Sequence, residues 1–128
     1  MKQIKVSEAT PLQLNWLVAK CEGLECEVPA YADTPWVRVT DTSGLQYVCP
    51  DYSTDWAHGG PIIERMFAQG LRLHTAEYTT GIHDKTVMVA SLDSPNGFWF
   101  GPTPLIAAMR CFVASRLGQE AEVPDELA

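Results

Sequence analysis

The chain has no apolar run long enough to cross a bilayer. Its longest, such as Leu105 to Met109, fall far short of the roughly 20 residues that a spanning helix needs. The opening, "MKQIKVSEAT", has no apolar core behind its charges and does not read as a signal peptide. These absences point to a cytoplasmic protein without a membrane partner. Basic residues are also scarce: 9 Lys and Arg stand against 16 Asp and Glu, for a formal net charge of −7. A duplex-binding protein clusters its cations to displace counterions, and these are scattered. Sequence-specific nucleic-acid binding is therefore not expected.

Metal-ligand and redox spacings are missing too. His58, His74 and His83 share no i, i+4 relation. Cys21 and Cys26 are five apart, Cys49 and Cys111 are isolated, and no C-x-x-C occurs. The cysteines read as structural thiols of a reducing compartment. No G-x-S-x-G elbow, Walker A or G-x-G-x-x-G is present. Asp55 and His58 are near enough to pair across a turn, but a capping Asp beside a solvated His is the plainer reading. The residues thus imply no cofactor, no metal and no catalytic group, and an enzyme is the least supported class.

What the chain does have is the composition of a globular protein: 128 residues, 46% apolar and 20% charged. A single α+β domain is expected over residues 1–118, followed by an acidic tail, 119–128. In that tail Glu120, Glu122, Asp125 and Glu126 should form a solvated end. Three helices announce themselves. In "TPLQLNWLVAKCEG", Thr10 is the N-cap, Pro11 the first helical residue and Gln13 the partner in a capping box, with Gly23 closing the end. "TPLIAAMRCFVASRLG" repeats the scheme with Thr103, Pro104 and Gly118. A middle helix is expected from Pro61 to about Gly70, with Ile62, Ile63, Met66 and Phe67 as its apolar face.

The third helix has no polar face. Leu105, Ile106, Met109, Phe112, Val113 and Leu117 lie opposite the small residues Ala107, Cys111 and Ala114. Such a helix is buried on both sides, either as the centre of the domain or as a homo-oligomer interface. Between the helices the period changes to two. "WVRVT" and "QYVC" flank Asp41–Gly44 as a hairpin, and "LRLHTAEY", "TVMVASL" and "GFWF" form a three-strand meander. The meander's connections, Gly81–Lys85 and Ser94–Gly97, carry turn chemistry. A short strand is expected near Ile4 and Val6. The architecture is an antiparallel sheet with three helices packed on it and the third helix central.

"YSTDWAHGGPIIER" and "GPTP" are the informative stretches. Each sets glycine beside a proline-started turn, where free backbone N–H groups and the helix dipole attract anions. The candidate ligand-binding residues follow: Asp55, Gly59, Gly60, Gly101 and Thr103 at the two starts, and Arg65 as a planar fork for phosphate or carboxylate. Trp36, Tyr52 and Trp56 are candidate stacking surfaces. The same glycine–proline pairs also serve simply to shape a helix entry.

Those two stretches, extended through "GPTPLIAAMRCFVASRLG", resemble the NinX-like proteins of tailed bacteriophages and prophages. So do "LNWLVAKCEG" and "EVPDELA"; Leu71 to Phe100 matches least. The resemblance implies a small accessory protein of the infected cell, with no catalytic residues to carry over. Accessory proteins of this kind act by binding. One expectation is therefore a non-enzymatic protein that binds a small anionic, nucleotide-derived ligand to counter host immune signalling. The alternative is a host protein engaged through the aromatics of "YADTPW" and "GFWFG".

Overall fold

A computed structural model describes residues 1–30, 33–80, 83–92 and 97–128. In chain order the elements are β1 (Lys2–Lys5), a 3-10 turn (Val6–Glu8), α1 (Pro11–Cys21), β2 (Glu25–Glu27), β3 (Arg38–Thr40) and β4 (Gln46–Val48). They continue with α2 (Trp56–Ala68), β5 (Arg72–Thr80), β6 (His83–Ser91), β7 (Phe98–Gly101), α3 (Pro104–Leu117), β8 (Glu120–Val123) and a closing 3-10 turn (Asp125–Leu127). The fold is α+β. The expected hairpin is β3–β4, with Val39 opposite Tyr47, and the expected meander is β5–β6–β7. Of the meander's connections, Gly81, Ile82 and Ser94 to Asn96 lie outside the described residues, as do Tyr31 and Ala32 of "YADTPW".

The strands form three small antiparallel sheets rather than one. β2 adds to the hairpin in the order β2–β3–β4, and β1 pairs with β8. The last ten residues therefore pack on the domain through Ala121, Val123 and Leu127, while Glu120, Glu122, Asp125 and Glu126 are exposed as expected. In "EAEV" the alternation of period two turns Glu120 and Glu122 outward while Ala121 and Val123 are buried. Gln13 fixes the terminus further. Its Oε1 accepts from the Thr10 N–H as half of the capping box, and its Nε2 donates 2.7 Å to the Leu127 carbonyl.

α3 is the centre of the molecule. It packs on α1, α2, β6, β7 and β8, which bury Leu105 through Met109 and Cys111 through Ala114; only Leu117 of its apolar stripe is exposed. Burying each large aliphatic side chain contributes roughly 1.5–3 kcal/mol, so this helix supplies much of the core. The face that suggested an oligomer contact is thus covered by the chain's own elements. α3 keeps its expected boundaries: Thr103 caps it, Pro104 begins it, and Gly118 ends it at φ 91°, a conformation that favours glycine.

α2 departs from expectation at both ends of its apolar face. It starts at Trp56, five residues before Pro61, because Asp55 is an effective N-cap whose carboxylate accepts from Ala57 N–H at 2.9 Å. Ile62, Ile63 and Met66 are buried as expected, but Phe67 is 52% exposed. A buried polar network sets where α2 begins. Asn15 Oδ1 accepts from the Ser53 N–H (3.1 Å) and the Ser53 hydroxyl (2.8 Å), while its Nδ2 donates to Asp51 Oδ1 (3.3 Å). Asn15 and Ser53 are both buried on the flank of α1, so the segment before α2 cannot shift without leaving polar groups unpaired.

Candidate functional site

The starts of α2 and α3 meet at one small cleft of about 170 Å³, lined by Ser53, Thr54, Trp56, Thr103, Leu105 and Ile106. Two of the residues singled out in the sequence, Trp56 and Thr103, come together here. Trp56 is 54% exposed and forms an open aromatic wall. Thr103 is engaged as a cap, its hydroxyl accepting from Ile106 N–H at 3.1 Å. Among the described residues no Lys or Arg lines the cleft, and the Asp55 carboxylate already occupies the first turn of α2.

The other residues have different duties. Gly59 is buried within α2, where an added Cβ would stand 2.2 Å from the Tyr52 carbonyl oxygen and 2.6 Å from Leu105 Cδ2. Gly101 is tight against the first turn of α3, 2.6 Å from Ala107 N by the same measure. At both positions the neighbouring chain leaves no room for a side chain. Gly60 is inside the helix rather than at its start, and its only near neighbour is the Trp56 ring. Tyr52 is buried, and burial pushes its phenol well above the ordinary range. Trp36 is half-buried just before β3 and does not line the cleft. Arg65 sits in the last turn of α2, away from the start, in an ion pair with Glu22 beyond the end of α1.

His58 Nδ1 accepts from the Asp51 N–H at 3.1 Å and stands 3.9 Å from Asp55, whose other oxygen is the helix cap. Burial pushes the Cys49 thiol up to about 12, with Cys26 and Cys111 up to about 11, far from the lowered values of reactive cysteines. Among the described residues, no three His, Cys, Asp or Glu side chains are grouped to hold a metal. No helix among them is long and apolar enough to cross a membrane.

A larger cleft, about 560 Å³, lies beside β7. Along this strand Trp99 and Gly101 are buried, whereas Phe98 and Phe100 are 65% and 52% exposed. Lys5, Ser7, Gln119 and Glu120, from the β1–β8 end of the molecule, line it as well. Arg110 of α3 ties β7 to the segment before α1. Its Nη1 donates 2.7 Å to the Phe100 carbonyl and its Nη2 donates 3.0 Å to that of Ala9, while its Nε is buried without a partner. The Phe-Trp-Phe alternation made the outward aromatics legible in advance. The opposite wall was not, because it depends on β8 being a strand.

Compared with known protein families, the family described as Bacteriophage P22, NinX, matches residues 5–116. No curated protein matches the chain.

Proposed function

The chain belongs to the NinX family of bacteriophage P22, and from that premise we propose that it is a phage accessory protein that acts by binding another protein through the β7 face. The observation that carries this reading is the pair Phe98 and Phe100, exposed beside a cleft of about 560 Å³. Exposed aromatics are costly to leave in water and are enriched among residues that dominate interfaces. Affinity capture from a lysate of the infected host tests it. Wild-type protein retains a defined partner, and a Phe98→Ser/Phe100→Ser variant with an unchanged melting temperature loses it. Equal capture by both forms would remove the reading.

A second reading is a small anionic, nucleotide-derived ligand at the α2–α3 cleft, with interference in a host immune signal as its role. It is favoured by two helix N-termini lining one cleft beside an exposed Trp56. It ranks lower for three reasons: ligand pockets usually enclose about 300–1,000 Å³, the cleft lacks a cation, and the chain carries a net charge of −7. A thermal-shift screen with mononucleotides, cyclic dinucleotides and ADP-ribose decides between them. A ligand at 100 times its Kd adds about 2.7 kcal/mol, and Trp56→Ala should abolish that gain.

A further inference from the structure

We propose that the free edge of β7 receives an extended, lysine- or arginine-bearing segment of the partner protein as an added strand. This rests on the reading of β7 as the binding face and names the chemistry of what binds there. Among the described residues, β7 is the outer strand of its sheet and pairs with β6 alone. The Phe100 carbonyl is taken by Arg110 of α3, so the peptide groups of Phe100 point away from β6. In an antiparallel pair this outward orientation recurs at every second residue. Phe98 therefore turns both its N–H and its carbonyl away from β6, and Phe100 its N–H. These groups match the backbone of an incoming strand, the mode by which sheet edges recognise extended peptides.

Charge selects the occupant. The chain is net −7, and β8 turns Glu120 and Glu122 outward along its exposed face, with Glu120 lining the cleft. Lys5 lies on the same wall opposite Glu120, whereas the cross-strand partner of Glu122 is the neutral Gln3, and Arg110 is tied to two backbone carbonyls. On the near wall, Phe98 and Phe100 offer ring faces that attract cations. A strand with Lys or Arg at alternate positions satisfies both walls. A second copy of this chain does not, since "FWFG" carries no cation and would bring −7 against −7.

Selection from a displayed library of random heptapeptides against the whole protein tests the proposal. Enriched sequences should place Lys or Arg at alternate positions, and synthetic versions should shift the backbone amide signals of Phe98 and Phe100. N-methylation of the peptide's edge-facing amides should weaken binding about tenfold, the loss of one good hydrogen bond. Glu120→Gln/Glu122→Gln should weaken it several-fold at low salt. Acidic or patternless selectants, indifference to N-methylation, or β7-dependent dimerisation of the protein would each overturn strand addition. If peptides fail while host capture still depends on Phe98 and Phe100, strand addition falls and the β7 interface stands. If capture is indifferent as well, both fall.

Discussion

The starts of α2 and α3 use similar residues to opposite ends. At α3, Thr103 caps, Pro104 takes the first helical position, and Gly101 lies outside the helix, pressed against its first turn. At α2, Asp55 caps, and Gly59, Gly60 and Pro61 all lie inside the helix. Proline is cheap only in the first turn, where its missing N–H would have no helical partner; at Pro61 it deletes the bond to the Ala57 carbonyl. α2 accepts that loss because its position is set by packing: Gly59 under the Tyr52 carbonyl, and Ser53 held by Asn15. The difference teaches that a glycine–proline pair marks a boundary only when no stronger cap precedes it.

The sharpest way to break this comparison is Gly59→Val. Its side chain meets backbone at Tyr52 and cannot be accommodated by a rotamer change, so a loss of about 3 kcal/mol or more is expected in denaturant midpoints. A loss equal to that of Gly60→Val would show that the two glycines are interchangeable. Next comes Asn15→Ala, which leaves the Ser53 N–H buried without its acceptor and should cost about 1–3 kcal/mol. Ser53→Ala keeps that N–H paired and should cost less.

Removing the caps themselves, by Asp55→Ala or Thr103→Ala, should cost about 1 kcal/mol each in thermal unfolding. A loss at Asp55 as small as that of a random surface change would restore Pro61 as the true start of α2. The smallest effects belong to Gly60→Ala and Arg65→Ala. The first should be neutral or stabilise by up to about 1 kcal/mol, because a Cβ there meets nothing closer than 3.8 Å. The second breaks an ion pair whose arginine is largely exposed and whose Glu22 is partly covered, and should shift stability by less than about 1 kcal/mol.

What was legible in the sequence was what neighbours in sequence decide. The Thr10–Gln13 capping box, the Thr103–Pro104 start and the strands of the meander follow from residues within a few positions of one another. The buried back face of α3 was readable because a helix without polar residues has few places to go. Long-range pairings were not readable. "EAEV" looked like part of a charge run until β1 supplied a partner, and that misreading hid one wall of the β7 cleft. Arg65 looked free because Glu22 is 43 residues away in the chain. Phe67 looked buried because periodicity gives the direction of a stripe and not its width.

The pairing of β1 with β8 bears on the order of events during folding. Gln3 and Glu120, joined across these strands, are separated by 117 residues, so this contact closes almost the whole chain into a loop. The entropy of closure falls on whichever contact forms first across such a span, and local packing around α3 is expected to shorten that span beforehand. On that expectation the two-stranded ribbon forms late. Weakening it, as by Val123→Ala, should leave the refolding rate nearly unchanged and hasten unfolding, so its contribution is to the lifetime of the native state rather than to the speed of reaching it.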